Sequence, residues 1–185
     1  MTEFNTATGH ETENVISFAT LPDHIVVIRV AGRGSFHNSM ELRKIADAMV
    51  ARSDGNSTRF IIDLKECVTM DSTFMGVLAS IGLNQLKTLG DKTVVVNANS
   101  QNLRLLSTLG LTQFMNVRQS PEGGPSLANS SFQAMDKTAV SRAEHIVHMI
   151  EAHKDLCEID PENNLRFENV LKYLQDSLDR DDDLA

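Results

Sequence analysis

An α/β domain with a mostly parallel sheet, followed by a helical hairpin, is the architecture that the sequence predicts. Three observations carry this reading. Between residues 14 and 120, β-branched runs alternate with amphipathic segments at three- and four-residue spacing. After them comes a stretch of Pro, Gly and Ser, and then two amphipathic segments close the chain. Helices alternating with strands force crossover connections, and crossovers produce parallel pairing.

Taken in order, residues 1–14 are polar and aperiodic and read as a loose arm. Val15 to Ala19 is a short strand, Pro22-Asp23 a turn, and His24 to Val30 a stronger strand whose nearly continuous β-branched run suits burial on both faces. Gly32, Gly34 and Ser35 break the chain. Asn38, with Glu41 three residues on, resembles a capping pair that opens a helix through Met40, Leu42, Ile45, Ala46, Ala48 and Met49, ended by Asp54-Gly55-Asn56-Ser57. Phe60 to Leu64 is the next strand. Asp71 and Ser72 open a helix that holds Met75, Val77, Leu78, Ile81, Leu83 and Leu86 and stops at Gly90-Asp91. Thr93 to Asn97 is a strand, Ser100 starts a helix, Gly110 sits at its C′ position, and Phe114 to Val117 is a last short strand. The expected organisation is a domain over residues 14–120, a linker over 121–137 and a helical hairpin over 138–180. Ala143, Ile146, Val147 and Ile150 mark one hairpin face, and Phe167, Val170, Leu171, Leu174 and Leu178 the other, with Asp160-Pro161 as N-cap and N1 between them. The hairpin is read as an intramolecular cap, with a homodimer through its apolar stripe as the alternative.

Composition narrows the function. The chain has 185 residues, 41% of them apolar and 23% charged, which suits a folded core rather than disorder. No run approaches the roughly 20 apolar residues of a spanning helix, and Met1-Thr2-Glu3-Phe4-Asn5-Thr6 lacks signal-peptide features. The expected location is therefore the cytoplasm, with no membrane partner. Residues 138–185 carry 5 Lys+Arg against 12 Asp+Glu and so hold most of the net charge of −8. Such a tail repels phosphate backbones and disfavours nucleic-acid binding. Cys67 and Cys157 lie too far apart for a CxxC motif and read as small buried hydrophobes without a disulfide.

The informative stretch runs from Phe60 to Leu78: a buried strand, a turn at the carboxyl edge of the sheet, and a helix start. Asp71 or Ser72 is the natural N-cap. A phosphate on Ser72 would be stabilised by unpaired backbone N–H groups and the helix dipole, and opposed by the charge of Asp71. Ser and Asp before a helix are usually only caps, so the position alone does not make a site.

The pattern Asp63-Leu64, Met70-Asp71-Ser72-Thr73, Gly76 and Leu78 resembles that of the STAS family, the anti-sigma factor antagonists, and the resemblance extends over residues 14–120. It implies a small mixed sheet backed by helices. It implies that Ser72 matches the serine phosphorylated by an anti-sigma factor of the serine kinase type, and Asp71 the acidic residue before it. The unphosphorylated form would bind the anti-sigma factor, the phosphorylated form would not, and a metal-dependent phosphatase would restore the active form. No catalysis by the chain itself and no cofactor are implied. Thr73 is the alternative phosphate acceptor. Asp71, Thr73, Phe74 and Met75, with Arg33, Gly34, Ser35 and Phe36 from the neighbouring strand-to-helix loop, are the expected partner contacts. Phe74 stands where members commonly carry glycine; an exposed ring would be a contact anchor and a buried one ordinary core. The hairpin is an addition to the basic module.

Other constellations carry less. Glu144, His148 and Glu151 share a helix face, with His145 and His153 close by. A metal could be held there, but a polar face with intrahelical pairs is the commoner arrangement, and no metal is expected. Gly32-Arg33-Gly34 lacks the remainder of a phosphate loop and reads as a turn. A serine hydrolase would need a base for Ser72; His24 and His37 are candidates, but there is no GxSxG elbow. The function expected is that of an anti-sigma factor antagonist. The alternative is a non-catalytic scaffold or adaptor in a larger signalling complex; a small-molecule or transporter-associated module has no pocket signature in the sequence.

Overall fold

The computed structural model of the protein describes residues 15–52, 58–119, 131–134 and 139–182. Six strands form one sheet in the order β5-β4-β3-β2-β1-β6. β1 (Val15–Leu21) and β2 (Ile25–Gly34) are an antiparallel pair joined by a tight turn in which Asp23 and His24 have positive φ. From β2 onward the connections are helical and the pairing parallel: β2 with β3 (Arg59–Met70), β3 with β4 (Thr93–Val96), and β4 with β5 (Met115–Val117). The sheet is mixed and mostly parallel, as the alternating sequence predicts, with β2 to β5 parallel on one side and the antiparallel β1 and β6 on the other.

β2 and β3 run further than the hydrophobic pattern indicates. β2 continues to Gly34, so Gly32-Arg33-Gly34 is strand and not turn, and β3 continues to Met70. The reason is bulging: the register shifts twice, between Arg29 and Ala31 and between Gly32 and Arg33, and each time β3 carries the extra residue. Lys65 and Glu66 both face solvent in consequence, and the period-2 alternation that would betray a strand is broken. Gly32 takes a positive φ of 75° at this irregularity. Past the end of β4, the carbonyl of Cys67 accepts from the side-chain amides of Asn99 and Asn102, at 3.0 and 2.9 Å. These tie the β3 extension to helix α3 (Ser100–Thr108), which Asn99 caps by accepting from the Asn102 N–H.

α1 (Ser39–Arg52) and α2 (Ser72–Leu89) pack Leu42, Ile45, Met49, Phe74, Leu78 and Ile81 onto Ile28, Val30, Ile62 and Leu64 of the central strands. α2 ends at Gly90, which takes the left-handed conformation expected of a helix-stopping glycine. The expected pairing of Asn38 with Glu41 is not made: Asn38 turns back, accepting from the Ser35 N–H and donating to the Arg33 carbonyl. Asp54-Gly55-Asn56-Ser57 lies outside the described residues. A one-turn helix, α4 (Leu111–Phe114), follows Gly110. Within the span expected to be linker, β6 (Gln133–Ala134) pairs antiparallel with β1, and Arg29 lies over the Phe132 ring at 3.9 Å.

The chain ends in α5 (Arg142–Ile159) and α6 (Glu162–Asp182). Ser141 and Glu144 form a full capping box at the start of α5, which holds the Glu144 carboxyl below its usual range. Asp160 ends α5, and its side chain accepts from the Glu162 N–H as an N-cap does, while α6 itself begins at Glu162, one residue later than expected. The hairpin packs on its own domain. Ala152, Leu156, Ile159 and Phe167 join the core of the sheet and α2, while Ile146, Ile150 and Leu174 hold the two helices together. Val147 and Val170, expected in the apolar stripes, remain exposed. Cys67 is buried and Cys157 only partly so; both are free thiols, and burial pushes that of Cys67 up.

Candidate functional site

Parallel pairing brings the carboxyl ends of β2 and β3 to the same edge of the sheet, Gly34 beside Met70. Only Asp71 separates β3 from α2, so the predicted turn is a single residue, held by its N–H donating to the Gly34 carbonyl at 2.9 Å. The Asp71 carboxylate is committed on both oxygens. One accepts from the Phe74 N–H at 2.9 Å and caps α2; the other accepts from the Phe36 N–H at 2.8 Å and ties down the loop after β2. Asp71 is thus the N-cap, and Ser72 is the first residue of the helix.

Asp63, the other acidic residue of the motif, is structural. Its buried carboxylate accepts from Arg29 Nε at 3.1 Å, the Lys65 N–H at 3.1 Å and Asn97 Nδ2 at 2.7 Å, linking β2, the β3 bulge and the end of β4. Charge compensation by Arg29 together with full hydrogen bonding makes this burial tolerable.

The residues around Ser72 separate into two sets. Thr73, Phe74 and Met75 are buried, at 4, 0 and 3% exposure, because they enter the core side of the first helical turn. They do not offer the contact surface expected of them, and the Thr73 hydroxyl is no alternative acceptor at the surface. Gly34 and Ser35 are buried as well. The Phe74 ring is core: it lies where a Cβ on Gly34 would stand 2.8–2.9 Å from it, so the glycine at residue 34 makes room for the ring at residue 74. The exposed members at this edge are Arg33 and Phe36, the latter against His37 at 3.8 Å between ring centres, with Val68 on the paired β3 extension at 59% exposure.

Ser72 itself is partly covered, and what covers it was not legible as such. Its Oγ lies 3.0 Å from Nε2 of His153 on α5, 81 positions along the chain. His153 Nδ1 is 2.7 Å from the Met149 carbonyl, which can only accept, so Nδ1 carries the ring proton. Burial holds His153 below its usual pKa and the ring neutral, against smaller opposing effects of the Met149 hydrogen bond and the Asp71 charge. Nε2 therefore offers a lone pair, and the Ser72 hydroxyl donates to it. The ring edge also meets Phe167 of α6 at 4.8 Å.

His153 is not the histidine expected to approach Ser72. His24 lies at the amino end of β2, across the sheet from this edge, and His37 stacks on Phe36. Four of the five residues considered as a metal set go to separate duties. His148 Nε2 is 2.8 Å from Ser39 Oγ, Glu151 pairs with Arg43, Glu144 closes its capping box, and His153 serves Ser72; among the described residues no metal-holding group forms. A signal for His153 did exist: it falls three residues after Ile150 and seven after Ile146, inside the apolar stripe of α5. Away from this edge, a cleft of about 480 Å³ opens between α1 and α2, lined by Ala46, Val50, Phe60, Ile81 and Gln85 among others, which no sequence pattern had indicated.

The STAS domain model matches residues 19–123, more than half of the chain, and the protein belongs to the STAS domain family. No curated protein matches the chain significantly. Among solved structures, it is similar to a candidate anti-sigma factor antagonist from Thermotoga maritima (18% identity, TM-score 0.47, covering 55% of this chain and 83% of that one). It is also similar to the unphosphorylated form of the anti-sigma factor antagonist SpoIIAA (20% identity, TM-score 0.44, 56% and 86% covered). A third similarity is to the murine anion transporter Slc26a9 (19% identity, TM-score 0.42), covering 56% of this chain but 20% of the transporter. Among the described residues, no helix is long and apolar enough to cross a membrane.

Proposed function

We propose that the protein is a non-catalytic anti-sigma factor antagonist whose unphosphorylated form binds an anti-sigma factor of the serine kinase type, and which is switched off by phosphorylation of Ser72. A phosphatase reverses the mark, and the whole cycle runs in the cytoplasm. The observation that carries this reading is the position of Ser72, directly after the Asp71 cap, as the first residue of α2 at the carboxyl edge of the central strands. There the positive end of an 18-residue helix favours an added phosphate, and the neighbouring Asp71 carboxylate opposes it. Membership of the STAS family supports the same assignment. Since Thr73 is buried, the reading rests on Ser72 alone, with Arg33 and Phe36 as the exposed contacts at that edge.

The test is to incubate the full chain with ATP and an anti-sigma factor of the serine kinase type, and to map phosphate by mass spectrometry. Label on Ser72 supports the proposal, and a kinase that binds the protein yet leaves residues 71–73 unmodified refutes it. A second reading, a constitutive scaffold, is favoured by the hydrogen bond that already engages the Ser72 hydroxyl within the chain. Pull-down of the kinase separates the two. The switch predicts capture by Ser72→Ala and loss with Ser72→Asp, whereas the scaffold predicts equal capture.

A further inference from the structure

We propose that His153 is the proton acceptor for Ser72 when the serine is phosphorylated, and that it keeps the proton as an imidazolium paired with the new phosphate. This rests on the reading of Ser72 as the modified residue, and it gives that residue a base within its own chain. The hairpin stays packed on the domain in both states, and the unphosphorylated form remains the one that binds. The carboxylate nearest in sequence, that of Asp71, is not free for the task, because its two oxygens already accept the Phe74 and Phe36 N–H groups.

The arrangement is that of a general base. His153 Nε2 is 3.0 Å from Ser72 Oγ, within direct hydrogen-bond reach. The Met149 carbonyl, 2.7 Å from Nδ1, fixes the tautomer that leaves Nε2 its lone pair. One turn beyond Ser72, a Cβ on Gly76 would overlap the Ala152 backbone, so α2 and α5 meet backbone to backbone. Phe167 abuts the ring from α6. The distance from hydroxyl to ring is thus set by the buried core, which Ala152, Leu156, Ile159 and Phe167 join. His153 is 3% exposed, whereas Ser72 keeps partial exposure. The imidazole therefore stands on the covered side of the hydroxyl, and a phosphoryl donor reaches Oγ from the open side.

In the transfer, the Ser72 Oγ–P bond forms and the bond from the γ-phosphorus to the bridging oxygen of ATP breaks. ADP leaves with the electron pair, and the hydroxyl proton passes along the existing hydrogen bond to His153 Nε2. The imidazolium has two N–H donors. Nδ1 keeps the Met149 carbonyl, and Nε2 turns from acceptor to donor, toward a phosphate that only accepts. Charge works in the same direction. Burial disfavours the charged ring in the unmodified chain. Among the described residues, Asp71 at the head of α2 is the charged group that acts on it, and it favours the cation; from α6 the ring meets Phe167 and from its own helix the Met149 carbonyl. A phosphate dianion adds to the field of Asp71 and offsets the cost of burial. By linkage, the factor by which phosphate strengthens proton binding at His153 is the factor by which that proton favours the phosphorylated state.

Two measurements test this, the first without a kinase. Phosphoserine is installed at residue 72 of the full chain during translation, and the ring nitrogens of His153 are followed by NMR against pH. In the unmodified chain the ring is expected to be neutral at pH 7, with its proton on Nδ1. In the phosphoserine protein the titration midpoint should rise by about 1–3 pH units, with both nitrogens protonated below it. An unmoved or lowered midpoint overturns the proposal. The second measurement compares wild type with His153→Gln, whose amide oxygen can accept the hydrogen bond but not the proton, as substrates of an anti-sigma factor of the serine kinase type. The kcat is expected to fall about a hundredfold or more with KM little changed, and the loss of rate at acid pH, as His153 of the wild type becomes protonated, should be absent from the variant. Equal kcat for the two proteins overturns the proposal as well. The NMR comparison alters no residue of α5, so it decides the matter even where His153→Gln is unstable. A kinase that leaves wild-type Ser72 unmarked refutes the function proposed above instead, and the protonation of His153 in the phosphoserine protein is read independently of it.

Discussion

A methyl group added at Gly34 would stand 2.8, 2.9 and 2.9 Å from three atoms of the Phe74 ring. Carbon atoms in favourable contact sit about 3.5–4.0 Å apart, so the overlap is roughly 0.7 Å. The ring is fully buried and has nowhere to withdraw. Gly34 is not among the glycines with positive φ, so its backbone suits any residue and the penalty is one of space alone. Gly34→Ala is expected to cost about 1–3 kcal/mol, the usual range for overpacking. Phe74→Ala is expected to cost about 3–5 kcal/mol, for transfer and cavity together. In the Phe74→Ala background the sign of the first change reverses. The added methyl enters emptied space and returns up to about 0.8 kcal/mol. The cycle thus carries a coupling energy of about 2–4 kcal/mol. Urea denaturation of the four proteins measures it, with Phe74→Leu in place of Phe74→Ala if the latter is too unstable. Additivity within about 0.5 kcal/mol would show that residues 34 and 74 do not share the space, and would refute the account of Phe74 as core.

Asp71→Ala removes the acceptor for both the Phe74 and Phe36 N–H groups. It should lower stability by about 1–2 kcal/mol in denaturant melts, typical of a lost cap, with Asp71→Asn recovering part of it. Asn163→Ala removes the side-chain donor to the buried Leu109 and Leu156 carbonyls, of which Leu156 keeps the Asp160 N–H, and should cost about 1–3 kcal/mol, with increased exchange in α6 as the second readout. Burial pushes His148 down to about 4, below the usual value near 6.5. A depressed histidine resists a proton that the unfolded chain accepts. The stability it supports is therefore complete above pH 6.5 and is lost as pH falls toward 4. The melting temperature of His148→Gln should fall less than that of the wild type across this window; parallel curves would remove His148 as the cause.

Much of the molecule could be read from residue order. Strand-helix alternation, β-branched centres and stop signals such as Gly90 and Gly110 are local, and each acts through its own neighbours. The same holds for the Asp71-Ser72 helix start and for the two hairpin helices, whose apolar periodicity is independent of what they cover. Where the reading fell short, an interaction distant in sequence had overridden a local rule. The extra residues in β3 break the alternation that marks a strand, and only pairing with β2 shows that Lys65 to Met70 still belong to the sheet. Asn38 abandoned its expected cap for the Ser35 loop. Phe74 could be anchor or core until Gly34 was found beside it.

What residue order alone determined, then, is the set of elements, their sequence along the chain and the one serine placed at a helix start beneath a carboxylate. What only the tertiary structure decided is who stands opposite that serine. His153 was a polar residue among others on an amphipathic helix. The packing of α5 against Gly76 turned it into the acceptor of the Ser72 hydroxyl. Periodicity states which face of a helix is buried, but the partner of that face depends on how distant segments fit together in space.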